Sequence, residues 1–508
     1  MKFLTCILVA ASLSTFAAPS KPIAKKDGGR KRIFISQYEN VLGTSMELKV
    51  SAETKVEAAK AERTALMEIG RLSKIFSGYD PDSEFNHWLK TKNQPVPVSE
   101  DLFEVLRLFD IWRLRSGGAL DASAEIITRL WKQAAAAHAI PSRDELDRAV
   151  EEVKEPHWTL DEKTRTAIHL GDAPLMLNSF VKSYIIQNAA QAVLRNVHIG
   201  SVVVNIGGDL VIRGDRAENV VVRDPKADAE NDPPIADLEL KDRAVATSGS
   251  YRRGELINGS WYSHIVDPRT GIPAGEVISA TVVAPSATDA GALATVFNVL
   301  DPSESEKLAA EMPGVEYLII TREGRHIESR GWPGRSENKP GAQPVIPVGK
   351  GNETWPDDFE LMVNLEINLQ KQGNVKRPYV AIWVEDENHA PVRTITVWHG
   401  SDRYMPELKS WYLKYRDRYH SDSHFNSSVT SATRSAGKYT VKWDGKDDEG
   451  NLVKPGKYII KIEASREHGT YQLMRQEIMC DEIPKTFNLD GNVEIASASI
   501  DYRKKTSN

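Results

Sequence analysis

From residue 359 onward, hydrophobic side chains fall on every second position: Phe359, Leu361, Val363, Leu365, Ile367 and Leu369. This alternation places all six on one face of an extended strand and rules out an amphipathic helix, whose repeat is 3.6. The same rhythm returns at Val380, Ile382 and Val384, at Tyr439, Val441 and Trp443, and at Tyr458, Ile460 and Ile462. The turn Asp448 to Asn451 separates the last two runs. Repeated short strands with turn signals between them predict an all-β, immunoglobulin-like sandwich. The rhythm upstream is different. Ala58, Ala65, Ile69, Leu72 and Phe76 recur at helical spacing. Ser99 is placed to cap a second helix through Leu106, Phe109 and Leu114, and a third begins near Val181. Strands read at 201–206, 278–284 and 315–321, with helices from about Asp289 and Ser303 between the last two. That mixture predicts an α+β domain over 31–333. A Pro- and Gly-rich stretch, 334–357, reads as the linker to the sandwich at 358–508.

A chain of 508 residues is long enough for two or three folding units, each with its own core. Lys and Arg number 65 against 71 Asp and Glu, a balance that gives no reason to expect nucleic acid or an anionic membrane as partner. The first residues, MKFLTCILVAASLSTFA, join a lysine to a short apolar run and small residues, and predict a signal peptide over 1–17. No other stretch is apolar and long enough for a transmembrane segment. The expected location is therefore outside the cytoplasm, in the periplasm or cell envelope. Cys6 falls in the signal, so Cys480 remains alone and is expected to be a buried, inert thiol.

The most specific string is SHIVDPRTGIP, Ser263 to Pro273, where a proline and a tight RTG turn fix His264 and Asp267 on a rigid loop. TSGSYRR precedes it from Thr247. Upstream, a strand runs into Asn205, Gly207, Gly208 and Asp209; paired glycines let a backbone approach a ligand closely, though an ordinary turn reads the same way. The acidic turn Asp444 to Asp448 lacks a bidentate Glu at calcium-loop spacing and reads as a solvated turn.

Taken in order, LGTSMELKV from Leu42, SGYDPDSEFN from Ser77, GGALDAS from Gly117, LNSFVKSY from Leu177, NIGGD from Asn205, TSGSY from Thr247, SHIVDPRTG from Ser263 and ATDAGALAT from Ala287 resemble the ApbE family over roughly 33–330. That resemblance implies an FAD:protein FMN transferase. Such a protein binds FAD with Mg²⁺ on the pyrophosphate, passes the FMN half to a Thr or Ser hydroxyl of an acceptor protein, and releases AMP. Some members hydrolyse FAD instead. The resemblance places Leu42 and Thr44 by the flavin or ribityl chain and Tyr79 near the cofactor. It puts Asp121 by the adenosine half and Lys182 at the phosphates. Asn205, Gly207, Gly208 and Asp209 would line the cleft, with Thr247, Ser248, Gly249, His264 and Asp267 walling the reacting phosphate. His264 is the candidate for proton transfer, with a structural histidine as the alternative reading. The metal would fall to Thr295, the Ser179 carbonyl and an Asp four residues before Thr295.

The departures cluster at that metal. The Asp position holds Gly291, and Asp289, the nearest carboxylate, sits two residues earlier on a helix, turned by about 200°. Asn178 and Ser179 replace a Gly-Gly pair, Ser183 a Gly, Gln187 an Asp and Met176 an acidic residue. Two competing classes follow: a flavin carrier without turnover, and an FAD pyrophosphatase. In the sandwich, SSVTSAT, Ser427 to Thr433, loosely matches the family's flavin-acceptor pattern, making Thr433 a candidate acceptor in an exposed loop, against the plainer reading of a Ser/Thr loop. The aromatic stretch 404–419 reads as loop or edge packing.

Overall fold

The computed structural model describes residues 31–250, 253–334, 355–368, 376–400, 402–466 and 470–505; the expected signal segment and most of the expected linker lie outside them. No helix of the described residues is long and apolar enough to cross a membrane.

The first domain is organised by one antiparallel sheet of eight strands. From edge to edge it runs in chain order through Arg32–Val41, Thr44–Ala52, Ser201–Ile206, Asp209–Gly214, Ala244–Gly249, Val277–Ala284, Glu316–Thr321 and His326–Glu328. Alternation sorts its side chains between two cores. Met46, Leu48, Val50, Val202, Val204 and Ile206 pack beneath the helices Lys55–Phe76, Glu100–Arg115, Val181–Asn196 and Ala287–Val299. Val203, Leu210, Ile212, Val245, Leu318 and Ile320 face the other way, where the hairpin Glu218–Val222 with Ala236–Leu240 covers them. Burial on both faces explains why Ser201–Ile206 reads as a nearly continuous apolar run. The helices start where their caps dictate. Thr54 Oγ1 accepts from the Glu57 amide at 3.2 Å while Glu57 accepts from the Thr54 amide at 3.0 Å, and Ser99 Oγ accepts from the Leu102 amide at 3.2 Å.

The second domain is a two-sheet sandwich. One sheet orders Gly437–Trp443, Phe359–Ile367, Ile495–Lys504 and Lys485–Asp490; the other orders Thr430–Ala432, Pro391–His399, Tyr379–Asp386, Gly456–Ser465 and Tyr471–Cys480. Leu361, Val363, Ile382, Ile460, Ile462 and Ile500 fill the space between them. Cys480 is buried there, and burial pushes its thiol up to about 12, so it stays protonated.

Two readings of this half need correction. The aromatic stretch is a 3₁₀ turn, Asp402–Glu407, followed by a helix, Lys409–Ser421, whose Trp411, Tyr415 and Tyr419 cover Ala381 and Trp383 on the outer face of the five-stranded sheet. The buried Glu463 carboxylate receives the Ser410 and Trp411 amides, at 2.7 and 2.8 Å, and so anchors the helix start. Nor is the acidic turn simply solvated. Asp447 gathers the amides of Glu449 and Asn451, and Asp448, turned inward, accepts from the Thr394 amide at 2.8 Å.

The domains meet along a polar seam. Arg377 Nε pairs with Glu39 at 3.1 Å, both side chains nearly buried, and Arg434 Nε pairs with Glu230 at 3.0 Å. Asn231 bonds both the amide and the carbonyl of Lys442. Thr433 lies in this seam. It is 5% exposed, receives a hydrogen bond from Gln37 Nε2 at 3.1 Å, and follows a strand paired to Val397–His399. The exposed, flexible acceptor loop expected around it is therefore absent from this arrangement.

Candidate functional site

The tips of two adjacent hairpins form one end of the site. Leu42 (φ 51°) and Gly43 (φ 76°) turn the first, and Gly207 (φ 61°) and Gly208 (φ 97°) turn the second. These left-handed conformations favour glycine and let the tips approach: a Cβ on Gly207 would lie 2.7 Å from Thr44 Cγ2. Asn205 Oδ1 accepts from the Gly208 amide at 3.2 Å and holds the second tip closed.

From there a chain of contacts runs beneath the sheet end. Asp209 Oδ2 lies 3.0 Å from Lys182 Nζ and accepts from Ser183 Oγ at 3.2 Å. Burial raises the Asp209 carboxyl above the usual carboxylate range; Lys182, Ser183 and the Thr247 amide oppose that rise. Thr247 Oγ1 meets Thr281 Oγ1 at 2.9 Å, and the Ser248 carbonyl accepts from Asn298 Nδ2 at 3.0 Å. Asn298 lies one turn beyond Thr295, whose hydroxyl donates to the Ser179 carbonyl at 3.2 Å. Next to Ser179, Asn178 Nδ2 donates to the hydroxyl of exposed Tyr79 at 3.3 Å. Gly249 ends the strand that carries Thr247 and Ser248. A hollow of about 260 Å³ lies on the other face of the sheet, between it and the Glu218–Val222 strand, lined in part by Glu47, Lys49, Asn205, Glu218, Val220 and Thr247. A second, of about 210 Å³, lies beside Gly78 and Met176.

His264, Asp267 and Asp121 belong to a neighbouring group. Asp267 accepts from the Arg269 amide at 2.8 Å and its guanidinium at 3.0 Å, and so braces its own turn. Arg269 Cγ lies 3.5 Å from where a Cβ on Gly118 would be. Asp121, buried, caps Ser123 and sits 2.9 Å from Arg113 Nε. Asp121 and Asp267, expected by the adenosine half and by the reacting phosphate, are each paired with an arginine, Arg113 and Arg269. His264 Nδ1 lies 3.0 Å from the Arg253 carbonyl, and desolvation lowers its pKa below the ordinary imidazole value. A carbonyl only accepts, so Nδ1 carries the proton and Nε2 keeps a free lone pair. The helix Ala287–Val299 joins the two groups: Asp289, in its first turn, feels the charge of Arg115, while Thr295 reaches Ser179. Arg113, Arg115 and Asn298 escaped the sequence reading. The spacing of three between Thr295 and Asn298 was the signal available for the last.

The residues present do not complete a magnesium cradle. Thr295 and Ser179 offer two neutral oxygens that already bond each other. Asp289 faces Ser286 and Arg115, and burial raises its carboxyl above the usual range. Gly291 adds nothing, and a Cβ there would lie 2.3 Å from Ser183 Oγ. Among the described residues no three His, Cys, Asp or Glu side chains gather to hold a metal. Asp289, expected as a metal ligand, stands in the first turn of the helix with Ser286 and Arg115 as neighbours.

A family profile described as "ApbE family" matches residues 42–319. The chain belongs to the ApbE family. A second profile, "Predicted periplasmic protein (DUF2271)", matches residues 360–497. An FAD:protein FMN transferase of Treponema pallidum is 29% identical over 328 residues, covering 60% of this chain and 89% of that relative. The Escherichia coli K12 protein of the same name is 25% identical, covering 64% and 94%. The crystal structure of the ApbE protein from Thermotoga maritima aligns with a TM-score of 0.52 at 27% identity, over 59% of this chain and 98% of that one. The matched share is the ApbE domain, with the sheet end and both residue groups inside it.

Proposed function

We propose that the ApbE domain binds FAD at the sheet end and transfers its FMN half to a Ser or Thr hydroxyl of a separate acceptor protein. The observation that carries this reading is a set of hydrogen bonds that joins Tyr79 to Asn178, Thr295 to the Ser179 carbonyl and Asn298 to the Ser248 carbonyl, beside the Lys182–Asp209 pair. These bonds draw strings far apart in sequence to one end of the sheet. The FAD:protein FMN transferases similar to this chain support the same chemistry.

In the proposed step the acceptor oxygen attacks the phosphorus on the riboflavin side. A new O–P bond forms, the bond to the bridging oxygen breaks, and AMP leaves with that oxygen. Lys182 offsets charge on the phosphates. The acceptor proton passes to Nε2 of His264, which is neutral at physiological pH because its pKa is held down.

Incubating the protein with FAD and a Ser/Thr-containing acceptor tests the reading. AMP release with flavin on the acceptor supports it, whereas AMP with free FMN identifies a pyrophosphatase. Bound, intact FAD identifies a carrier. Because Thr433 is covered, Thr433→Ala should leave acceptor labelling unchanged; loss of all protein-bound flavin in that variant would make this threonine the acceptor instead.

A further inference from the structure

We infer that this chain grips flavin-nucleotide phosphates through Lys182 and without a divalent cation held by protein carboxylates. The inference rests on the flavin-nucleotide reading above and goes further, to the charge the site uses.

Divalent magnesium seeks hard, anionic oxygens, and a protein site for it usually supplies at least one carboxylate. Position 291 supplies none, and its loss is not an isolated change. Any Cβ there would lie 2.3 Å from Ser183 Oγ and 2.8 Å from Ser183 Cβ, closer than real Cβ atoms come to neighbours. Ser183 therefore occupies the volume that a side chain at 291 would need. The two positions fit as a pair: a hydroxymethyl group on one helix against bare backbone on the next.

Ser183 does more than fill space. Its hydroxyl turns to Asp209, whose Oδ2 also meets Lys182 Nζ at 3.0 Å. The Asp209 carboxylate is thus engaged by an ammonium and a hydroxyl. With the Lys182 ammonium 3.0 Å away, Asp209 offers a dication no uncompensated negative charge. The Thr295 hydroxyl donates to the carbonyls of Ser179 and Gly291, at 3.2 and 3.3 Å, and could offer a metal only a neutral lone pair. Lys182 keeps about a third of its side chain exposed, open to an arriving phosphate. Such a phosphate meets a lysine that is already positioned, and it meets no uncompensated carboxylate that a metal would have to neutralise first.

The test is flavin fluorescence anisotropy on the full chain titrated with FAD, once in millimolar magnesium and once in EDTA. The expected affinities agree within about twofold, a difference of less than about 0.5 kcal/mol. Lys182→Gln should weaken binding by about tenfold or more in both buffers, as expected for loss of a charge-assisted contact. The double variant Ser183→Gly with Gly291→Asp should acquire Mn²⁺ binding, read directly by electron paramagnetic resonance, where the parent chain shows none. Binding seen only with magnesium, Mn²⁺ bound by the parent chain, or full affinity in Lys182→Gln overturns the inference and leaves the transferase reading standing. No affinity for FAD in either buffer overturns the transferase reading itself.

Discussion

At the scale of single residues, what matters is which polar groups already have partners. His264 has one ring nitrogen committed to the Arg253 carbonyl and one free, with its pKa held below the ordinary imidazole value. As a base it must be neutral, so the acid limb of the transfer rate should fall below about pH 6.5, the unperturbed imidazole value. His264→Gln should remove that limb and lower the rate by about a hundredfold, checked by a pH–rate profile of the two proteins. In the other domain, burial pushes Asp448 up to about 6 against the pull of Arg393 and Arg418. The fold thus favours its protonated form. That contribution is whole below the unfolded carboxyl value and is lost as pH rises through about 6. Asp448→Asn should gain on the parent chain by about 1–3 kcal/mol between about pH 4 and pH 7, measured by urea denaturation. The residue scale was also the hardest to read from sequence. Family strings put Asp121 by the adenosine half and Asp267 by the reacting phosphate. They could not show that Arg113 and Arg269 hold them, because those partners are settled by loop packing rather than by spacing.

At the scale of elements, the sequence was far more legible. The helix start after Ser99 and the strands from Ser201 and Val277 stand within a residue or so of where the cap and the apolar runs put them. Those signals are local, so they survive without knowledge of the fold. The helix Lys409–Ser421 was missed although Trp411, Tyr415 and Tyr419 recur every four residues. Aromatic density hid the period, and the start rests on Glu463, fifty residues away, instead of on a local cap. The hairpin tips are the elements that shape the groove. Gly207→Ala would put a Cβ against Thr44 at a left-handed position, with an expected cost of about 1–3 kcal/mol and weaker FAD binding. Thermal melts and an FAD titration on that variant check both effects.

At the scale of the whole molecule, the division into an α+β part and a strand-rich part was legible from period alone, because alternation and helical spacing are properties of each segment by itself. The seam was not legible, since its pairs join residues hundreds of positions apart. Glu39 and Arg377 are nearly buried together there. Glu39→Ala leaves a guanidinium buried without its carboxylate, at a cost of about 3–5 kcal/mol. The expected result is loosened coupling between the domains, seen in calorimetry as two separated transitions where the parent chain shows more closely merged ones.

Covering Thr433 with Gln37 turns chemistry at that hydroxyl into a matter of timing. Whatever reacts there must arrive before the two halves close, so a label on this threonine would record the history of a molecule's maturation and say little about the affinity of its groove.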